Sequence, residues 1–288
     1  RRMRYENVQT NRYWEQLYAL FYIAHPYRLP TIGWMSDIRS YTREILQSHV
    51  NRFYTPDNAI IVLVGNIDPR KAKTEIERYF GSIPRYKGPR REVVTREPDP
   101  LGEKRFTVYD KAQPRIDLLF PTPGYPREEV YKLDIVQGIL SGRSGRLYRR
   151  LVLKEELCTD AGATNMVRLH DGYFHVFAEL RAGADPKKVE TILREEIMLL
   201  SKSPPTQAEM ERNKNTIRME FVQGLSTLEG LSDRLAWFER LGGYTGLLEY
   251  PDHIARVKPE MIPPIVAAYL TSQRSTVGLL LQKKGDSR

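Results

Sequence analysis

A repeated pattern of helix, turn and strand is the feature that most constrains the fold of this chain. Residues 44–64 and 260–280 align without a gap at an offset of 216 residues. Each segment has an amphipathic stretch, a short polar turn that begins with threonine, and an apolar run. Self-similarity of this kind indicates related modules. The alternative is chance similarity, because any helix–turn–strand unit has the same pattern.

The repeat predicts that the chain holds one complete module and part of another. If the second module starts near residue 101, the equivalent start of the first precedes Arg1 by roughly 115 residues. The chain also opens at Arg1 rather than at methionine, so we expect it to begin inside a longer protein. The expected division is 1–82 for the C-terminal part of the first module, 83–103 for a linker and 104–288 for a complete second module.

The spacing of apolar residues and the turn signals predict the elements of the first part. Helices are predicted over 8–24, 42–54 and 68–80, with Thr42 as an N-cap and Asp68 and Pro69 at a helix start. The β-branched run 59–64 predicts a buried strand. The prolines and glycines of 81–104 indicate a linker.

The second part groups its predicted strands and helices instead of alternating them. Strands are predicted over 104–110, 115–120, 159–167, 172–180 and 275–282, with a hairpin turn at 170–172. Helices are predicted over 127–141, 144–157, 185–201, 205–222, 227–241 and 258–270. This grouping favours an α+β fold with an antiparallel or mixed sheet packed with helices.

The formal net charge of +9 in 288 residues requires an explanation. The basic residues cluster in two places: Arg1, Arg2 and Arg4, and then Arg85, Lys87, Arg90, Arg91 and Arg96. The sequence has no nucleic-acid-reading motif, which favours a solvated surface, and an acidic partner is the weaker alternative. The longest apolar run, 59–64, is far shorter than the ~20 residues that a membrane span requires.

The residues themselves reveal no catalytic constellation. The five histidines form neither His-x-x-x-His nor His-x-x-Glu-His, and His170 and His175 are better interpreted as surface or hairpin residues than as metal ligands. The loop 142–145 could bind an anion with Arg143 and Arg146, although the start of a helix is the simpler interpretation. Cys158, the single cysteine, is expected to be a buried thiol.

Several stretches resemble the pitrilysin, insulinase and mitochondrial processing peptidase family of zinc metalloendopeptidases. The resemblance extends over nearly the whole chain, in the order of the family, and is closest to the short bacterial zinc proteases of two similar α/β modules. The family's processing-peptidase-like fold would account for the internal repeat. The stretches that carry it are 1–7 (RRMRYEN), 24–28 (AHPYR), 30–34 (PTIGW), 54–69, 139–149 (ILSGRSGRLYR) and 204–210 (PPTQAEM).

The resemblance implies zinc in the intact protein but supplies no ligand in this chain. The family holds zinc with His-x-x-Glu-His and a downstream glutamate, which by this alignment lies at or just before the position that precedes Arg1. The family also has an Arg and a Tyr seven residues apart in a later module, which bind substrate. Those two places are occupied here by Val152 and Thr159. Because valine has no polar donor, this module departs from the substrate-clamping type.

The expected function is therefore part of a zinc-dependent metalloendopeptidase that cleaves peptides or unfolded polypeptides. This chain would supply the substrate-enclosing second module and, by itself, bind no stoichiometric zinc and cleave no peptide. The alternative is a non-catalytic subunit acting in assembly or in substrate presentation to a separate zinc subunit. The expected partners are a peptide or polypeptide substrate and a second copy or related subunit, with no nucleic acid and no membrane span. The bacterial periplasm and cytoplasm both stay open.

Overall fold

The computed structural model describes residues 3, 5, 8–90 and 92–282, and of Gln9 only the backbone. The chain divides into two compact units. Unit 1 comprises Arg1–Thr31, Thr95–Arg218 and Pro251–Arg288, and unit 2 comprises Ile32–Val94 and Met219–Tyr250. The basic residues Arg1, Arg2, Arg4 and Arg91 lie outside the described residues, as does most of the stretch 1–7.

Eleven α-helices and five strands are found in the part of the chain that the structure describes. The strands are β1 (Lys104–Asp110), β2 (Arg115–Pro123), β3 (Cys158–Met166), β4 (Asp171–Leu180) and β5 (Thr276–Gln282). The helices are α1 (Gln9–Phe21), α2 (Met35–Ser40), α3 (Arg43–Phe53), α4 (Pro69–Phe80), α5 (Glu128–Leu140), α6 (Arg146–Tyr148), α7 (Pro186–Lys202), α8 (Gln207–Gly224), α9 (Leu228–Leu241), α10 (Thr245–Arg256) and α11 (Ile262–Tyr269).

The predicted helix starts in unit 2 are confirmed by their capping contacts. The Thr42 hydroxyl accepts the backbone N–H of Ile45 at 3.3 Å. Asp68 accepts the N–H of Arg70 at 2.8 Å, with proline at the first helical position. A side-chain oxygen in this position satisfies one of the N–H groups that a helix start leaves without an internal partner.

The five strands of unit 1 form one mixed sheet in the order β1-β5-β2-β4-β3. β1 and β5 pair in parallel, whereas β2 pairs antiparallel with both β5 and β4, and β3 pairs antiparallel with β4. The β3–β4 pair is the hairpin that the turn at 170–172 predicts. The α+β class with a mixed sheet is therefore confirmed.

Helices cover both faces of this sheet. Phe120 of β2 lines a groove with Ile197 of α7 and Val266 of α11. Leu119, the next residue along β2, packs on the opposite face in a buried cluster with α1. Because successive side chains of a strand point to opposite faces, burial of both explains the continuous apolar run of β2. The α1 side of the cluster consists of Tyr13, Leu17, Phe21 and Tyr22.

The strand predicted over residues 59–64 is wrong. These residues form no helix and pair with no strand in the described part of the chain, and 52% of Leu63 is exposed. The equivalent residues of the repeat form β5, which lies between β1 and β2. Propensity alone does not make a strand, because the ladder needs a neighbouring backbone.

The local structure of the two repeated segments nevertheless agrees. A 3₁₀ turn at Pro56–Asn58 follows α3, and one at Ser272–Arg274, 216 residues later, follows α11. The two segments therefore share a helix and the 3₁₀ turn that follows it.

Three helical predictions require correction. Residues 144–157 form only the short α6 and a π-helical segment, Arg149–Lys154, instead of one α-helix. The helices α2 and α10 are absent from the sequence prediction, and α10 contains Pro251, which the sequence rules treat as a helix breaker. Among the described residues, no helix is both long and apolar enough to cross a membrane.

Candidate functional site

The two positions that the resemblance assigns to substrate binding lie near the start of β3. Val152 belongs to the π-helical segment and is buried, with 7% of its surface exposed. Thr159 is exposed at the second residue of β3, and its hydroxyl donates to the Glu179 carbonyl at 3.4 Å. A buried hydrocarbon and an internally bonded hydroxyl do not form a shared polar site. Val152 has no polar donor for a substrate carbonyl, and the assignment of these two positions to substrate binding stays a prediction.

The backbone between these two positions is unusual. Glu156 has a φ of 53°, and it is the one non-glycine residue with positive φ in the described ranges. A register shift between Cys158 and Asp160 follows at the start of the hairpin. A π-helical turn, a left-handed residue and a bulge thus occur within twelve residues, at the place where the sequence prediction of a regular helix fails.

The glycine loop before α6 presents one unpaired arginine. Gly142, Arg143 and Ser144 are exposed, and Gly142 has a φ of 74°, which glycine adopts without strain. Arg146 is not available to an anion, because its guanidinium binds both carboxylate oxygens of Glu209 at 2.8 and 2.9 Å. This favours the interpretation of the loop as a helix start.

The Arg146–Glu209 pair also organises the start of α8. The Arg146 guanidinium, together with N–H and hydroxyl donation from Thr206, lowers the pKa of Glu209 to about 2. The Glu209 N–H in turn donates to the Thr206 hydroxyl at 3.2 Å, which completes a capping box. The pair connects α6 to α8 within unit 1.

The predicted histidine pair does not converge on a metal. The His175 Nε2 donates to Asp117 Oδ1 at 2.8 Å, whereas His170 Nδ1 accepts from Arg96 Nη1 at 3.1 Å. Across the described ranges, no group of three His, Cys, Asp or Glu side chains could hold a metal ion. The residues present therefore do not fit zinc. The interpretation of His170 and His175 as other than metal ligands agrees with these contacts.

The remaining histidines have packing roles. His25 is buried, and its Nδ1 accepts the Tyr27 N–H at 3.1 Å. Burial, together with the nearby His170, lowers the pKa of His25, so the ring is neutral at pH 7. His49 lies 4.8 Å from the Phe53 ring, and His253 stacks on Tyr131 at 4.3 Å between ring centroids.

Cys158 is buried, as expected from the sequence. Burial raises the pKa of its thiol to about 12. Because the thiolate is the reactive form, this cysteine is not a nucleophile at neutral pH.

The sequence prediction missed a buried ionic network on the α1 face of the sheet. Asp117 is fully buried, and its carboxylate accepts from Tyr13 at 2.6 Å, from Arg115 at 2.8 Å through two nitrogens, and from His175. Burial alone raises the pKa of Asp117, but the hydrogen bonds from His175 and Arg115 outweigh it and hold that pKa below the ordinary aspartate value. The signal in the sequence was Arg115 and Asp117 on one face of an otherwise apolar strand.

Two of the basic linker residues have partners within the chain, although Arg96 is also exposed. Arg90 lies 2.7 Å from the Asp57 carboxylate in unit 2, and Arg96 contacts His170 in unit 1. Arg85 and Lys87 are exposed, which fits the expected solvated surface at these two positions.

A family model described as the peptidase M16 inactive domain matches residues 40–217. The chain belongs to the M16 peptidase family. This agrees with the resemblance identified from the sequence motifs.

Curated relatives of this M16 chain are named zinc proteases. Zinc protease PqqE of Helicobacter pylori is 25% identical over 97% of this chain and 64% of its own length. An uncharacterised zinc protease of Mycobacterium tuberculosis is 27% identical over 91% of this chain and 60% of its own length. The chain thus spans roughly half to two thirds of the length of such relatives.

Solved structures show the same M16 fold. A protease from Helicobacter pylori has a TM-score of 0.91 at 22% identity, covering 98% of this chain and 68% of that chain. A putative M16-like peptidase from Alicyclobacillus acidocaldarius has a TM-score of 0.81 at 19% identity, covering 95% and 66%. The inactive peptidase domain of a putative zinc protease from Bordetella parapertussis covers 60% of this chain, with a TM-score of 0.54 at 22% identity and 94% of its own chain matched.

Proposed function

We propose that this chain is the substrate-enclosing, non-catalytic part of a zinc-dependent metalloendopeptidase that cleaves peptides and unfolded polypeptides. The match of residues 40–217 to the inactive M16 domain carries the proposal. The buried Val152 and the lack of a metal-ligand group among the described residues support it. The zinc and its general base would belong to a module outside this chain.

The exposed apolar segment 59–64 supports the idea that a further module adjoins unit 2. Its Leu63 is 52% exposed, whereas the repeat-equivalent Leu279 of β5 is 8% exposed, because β5 has a neighbour on each side. An extended segment with apolar side chains and unpaired backbone groups favours pairing with further strands. We assign those strands to an upstream part of the same protein. The division at 1–82, 83–103 and 104–288 is part of this proposal.

The sheet of unit 1 offers two edges that fit a role in holding extended substrate. β1 and β3 are the outer strands, and Thr159 and Asp160 are exposed on β3. Main-chain pairing with an edge strand is largely independent of sequence, which suits a protease for unfolded polypeptides. A second copy or a related subunit would complete the enclosure.

The second candidate is a non-catalytic subunit that presents substrate to a separate zinc subunit. The valine at position 152 favours it, because a buried hydrocarbon side chain has no donor for a substrate carbonyl. The two candidates differ in whether the zinc module lies on the same polypeptide.

Cleavage of a labelled, unfolded polypeptide such as reduced casein tests the proposal. The 288-residue chain with added zinc should release no label above background, whereas the natural protein should cleave it and lose that activity with 1,10-phenanthroline. Chelator-sensitive cleavage by the 288-residue chain alone would refute the proposal. An inactive natural protein that gains activity on addition of a separate zinc subunit would favour the second candidate.

A further inference from the structure

A cavity of about 400 Å³ opens at one end of the sheet in unit 1. Its lining comes from the end of β2, the start of β4, the end of α11 and the segment 97–99. No residue of the loop 142–145 or of the segment between Val152 and Thr159 lines it. A cavity of this volume is large enough for a small organic molecule.

Two of the acidic residues in the cavity wall already have partners. Glu97 accepts three backbone N–H groups, from Ile23 at 2.7 Å, Ala24 at 3.0 Å and His25 at 2.9 Å. Asp99 lies 3.0 Å from Arg274 Nη2. These contacts fix the turn after α1 and hold Arg274 in place. They leave Glu97 little capacity for a ligand.

Two other charged groups of the wall have no such partner. The Arg127 guanidinium, at the start of α5, makes no hydrogen bond or ion pair with any described residue. The Asp171 side chain, at the start of β4, makes none either, although its backbone carbonyl accepts from Tyr22 at 3.2 Å. The cavity wall therefore includes one exposed cation without a protein partner among the described residues, Arg127, and one half-buried anion without one, Asp171.

Buried polar atoms at this cavity lack hydrogen-bond partners. Asp171 Oδ2 and Arg274 Nε are both buried, and both residues line the cavity. His25 Nε2, in the turn that Glu97 fixes, is the third such atom in the described ranges. A buried polar atom without a partner costs about 1–3 kcal/mol, so native folds satisfy such atoms with protein, water or ligand. Two of the three, Asp171 Oδ2 and Arg274 Nε, belong to residues that line this one cavity, which points to a polar occupant.

The chemistry of the wall defines that occupant. Arg127 and Arg274 are donors and require an acceptor with negative charge, for which a carboxylate is the usual partner. Asp171 requires a donor with positive charge, such as an ammonium group. The rest of the wall includes the polar Thr122 and an apolar part that contains Tyr269 and three prolines, Pro98, Pro121 and Pro123.

We propose that this cavity binds an α-amino acid zwitterion with an apolar or aromatic side chain. The carboxylate binds Arg127 and Arg274, the ammonium group binds Asp171, and the side chain packs against Tyr269 and the prolines. The Arg274 guanidinium carbon already lies 5.9 Å from the centre of the Tyr269 ring, so the cationic and aromatic parts of the wall adjoin. This inference does not depend on the proteolytic function.

Calorimetric titration of the 288-residue chain at pH 7 with L-phenylalanine tests this inference. N-acetyl-L-phenylalanine, which lacks the ammonium group and mimics the last residue of a peptide, should bind at least tenfold more weakly. L-phenylalaninamide, which lacks the carboxylate and mimics the first residue of a peptide, should also bind at least tenfold more weakly than L-phenylalanine. A tenfold loss corresponds to one hydrogen bond to a charged group.

Matched variants identify the groups responsible. Arg127→Gln should weaken L-phenylalanine binding at least tenfold but leave the weaker affinity for L-phenylalaninamide unchanged, since only the carboxylate contact is lost. Arg143→Gln, in the exposed loop 142–145, is the charge-matched control and should bind like the unmodified chain. An unchanged amide affinity also shows that Arg127→Gln is folded.

Three results would overturn the inference. Absence of L-phenylalanine binding at millimolar concentration would mean that ordered water alone fills the cavity. Equal binding of the N-acetyl compound would show that Asp171 does not bind the ammonium group. Equal binding of the amide would show that the two arginines do not bind the carboxylate.

Discussion

Asp117 determines how α1 is held on the sheet. Its carboxylate is fully buried, and the donors come from α1 (Tyr13), β2 (Arg115) and β4 (His175). Burial raises the pKa of the Tyr13 phenol, so the hydroxyl stays protonated and donates. One buried charge thus connects three elements, and a partner left without it is an uncompensated buried group.

Replacing Asp117 should strongly destabilise unit 1. We expect Asp117→Ala to lower the free energy of unfolding by about 3–5 kcal/mol, because the largely buried Arg115 cation loses both of its 2.8 Å contacts and keeps only Glu179, at 3.3 Å. Urea unfolding followed by tryptophan fluorescence measures this loss. Asp233→Ala, at an exposed position of α9, is the control and should change the value by less than about 0.5 kcal/mol. Equal effects of the two substitutions would contradict a structural role for the network.

The same carboxylate makes stability depend on pH in a defined direction. The pKa of Asp117 is lower in the folded chain than in the unfolded chain, so its contribution is fully present above the unfolded pKa of about 4. It is lost as pH falls through the folded pKa. Below pH 4, we expect the urea concentration at the unfolding midpoint to decrease in the unmodified chain and to decrease less in Asp117→Asn. Parallel pH profiles of the two proteins would show that Asp117 does not cause the loss.

Glu156 is strained, and glycine should relieve the strain. A side chain at a φ of 53° raises the free energy of the folded chain by about 1–2 kcal/mol. The greater conformational freedom of glycine lowers the free energy of the unfolded chain by about 0.5–1 kcal/mol, which offsets part of the gain. Glu156→Gly should therefore stabilise the chain by roughly 0.5–1 kcal/mol in urea unfolding. Glu156→Ala removes the same carboxylate but keeps the Cβ, so it should bring no such gain. A gain of the same size for alanine would locate the effect in the charge instead.

At the scale of elements, sequence patterns predicted what depends on local interactions. The caps at Thr42 and Asp68 follow from short-range hydrogen bonds, and the helices and strands of unit 1 follow from their periodicity. The segment 59–64 could not be predicted in this way, because a strand requires a neighbour that no local pattern encodes. The π-helical turn at 149–154 and the Asp117 network depend on tertiary packing in the same sense.

The repeat supplies a matched pair of leucines that measures the effect of neighbouring strands. Leu63 and Leu279 are equivalent positions, one 52% and the other 8% exposed. In the 288-residue chain, Leu279→Ala should cost about 2–5 kcal/mol and Leu63→Ala less than about 1 kcal/mol in the free energy of unfolding. In the natural protein, a completed sheet should make Leu63→Ala lower the free energy of unfolding by an amount closer to that of Leu279→Ala. An unchanged small cost there would mean that no strand pairs with residues 59–64.

At the scale of the whole molecule, the family could be identified from sequence motifs, while the site could be assigned only by position. The alignment of the motif 139–149 with the family is what assigns Val152 and Thr159 to the places of the family's arginine and tyrosine. The structure adds that Val152 is buried and that Arg146 is bound to Glu209. The burial of Val152 and the pairing of Arg146 with Glu209 both depend on residues distant in sequence, which a local pattern does not encode.

The match to the M16 inactive domain supports one central proposal. We propose that this chain supports a zinc protease whose zinc is held outside it. The curated relatives extend well beyond the part that this chain matches.

The intact mass of the natural protein isolated from its source, with peptide coverage of its N-terminal end, tests this claim most directly. We predict a mass well above 33.5 kDa and a His-x-x-Glu-His sequence upstream of Arg1. A natural chain that begins at Arg1 with a mass of 33.5 kDa would contradict the claim and leave only the substrate-presenting subunit.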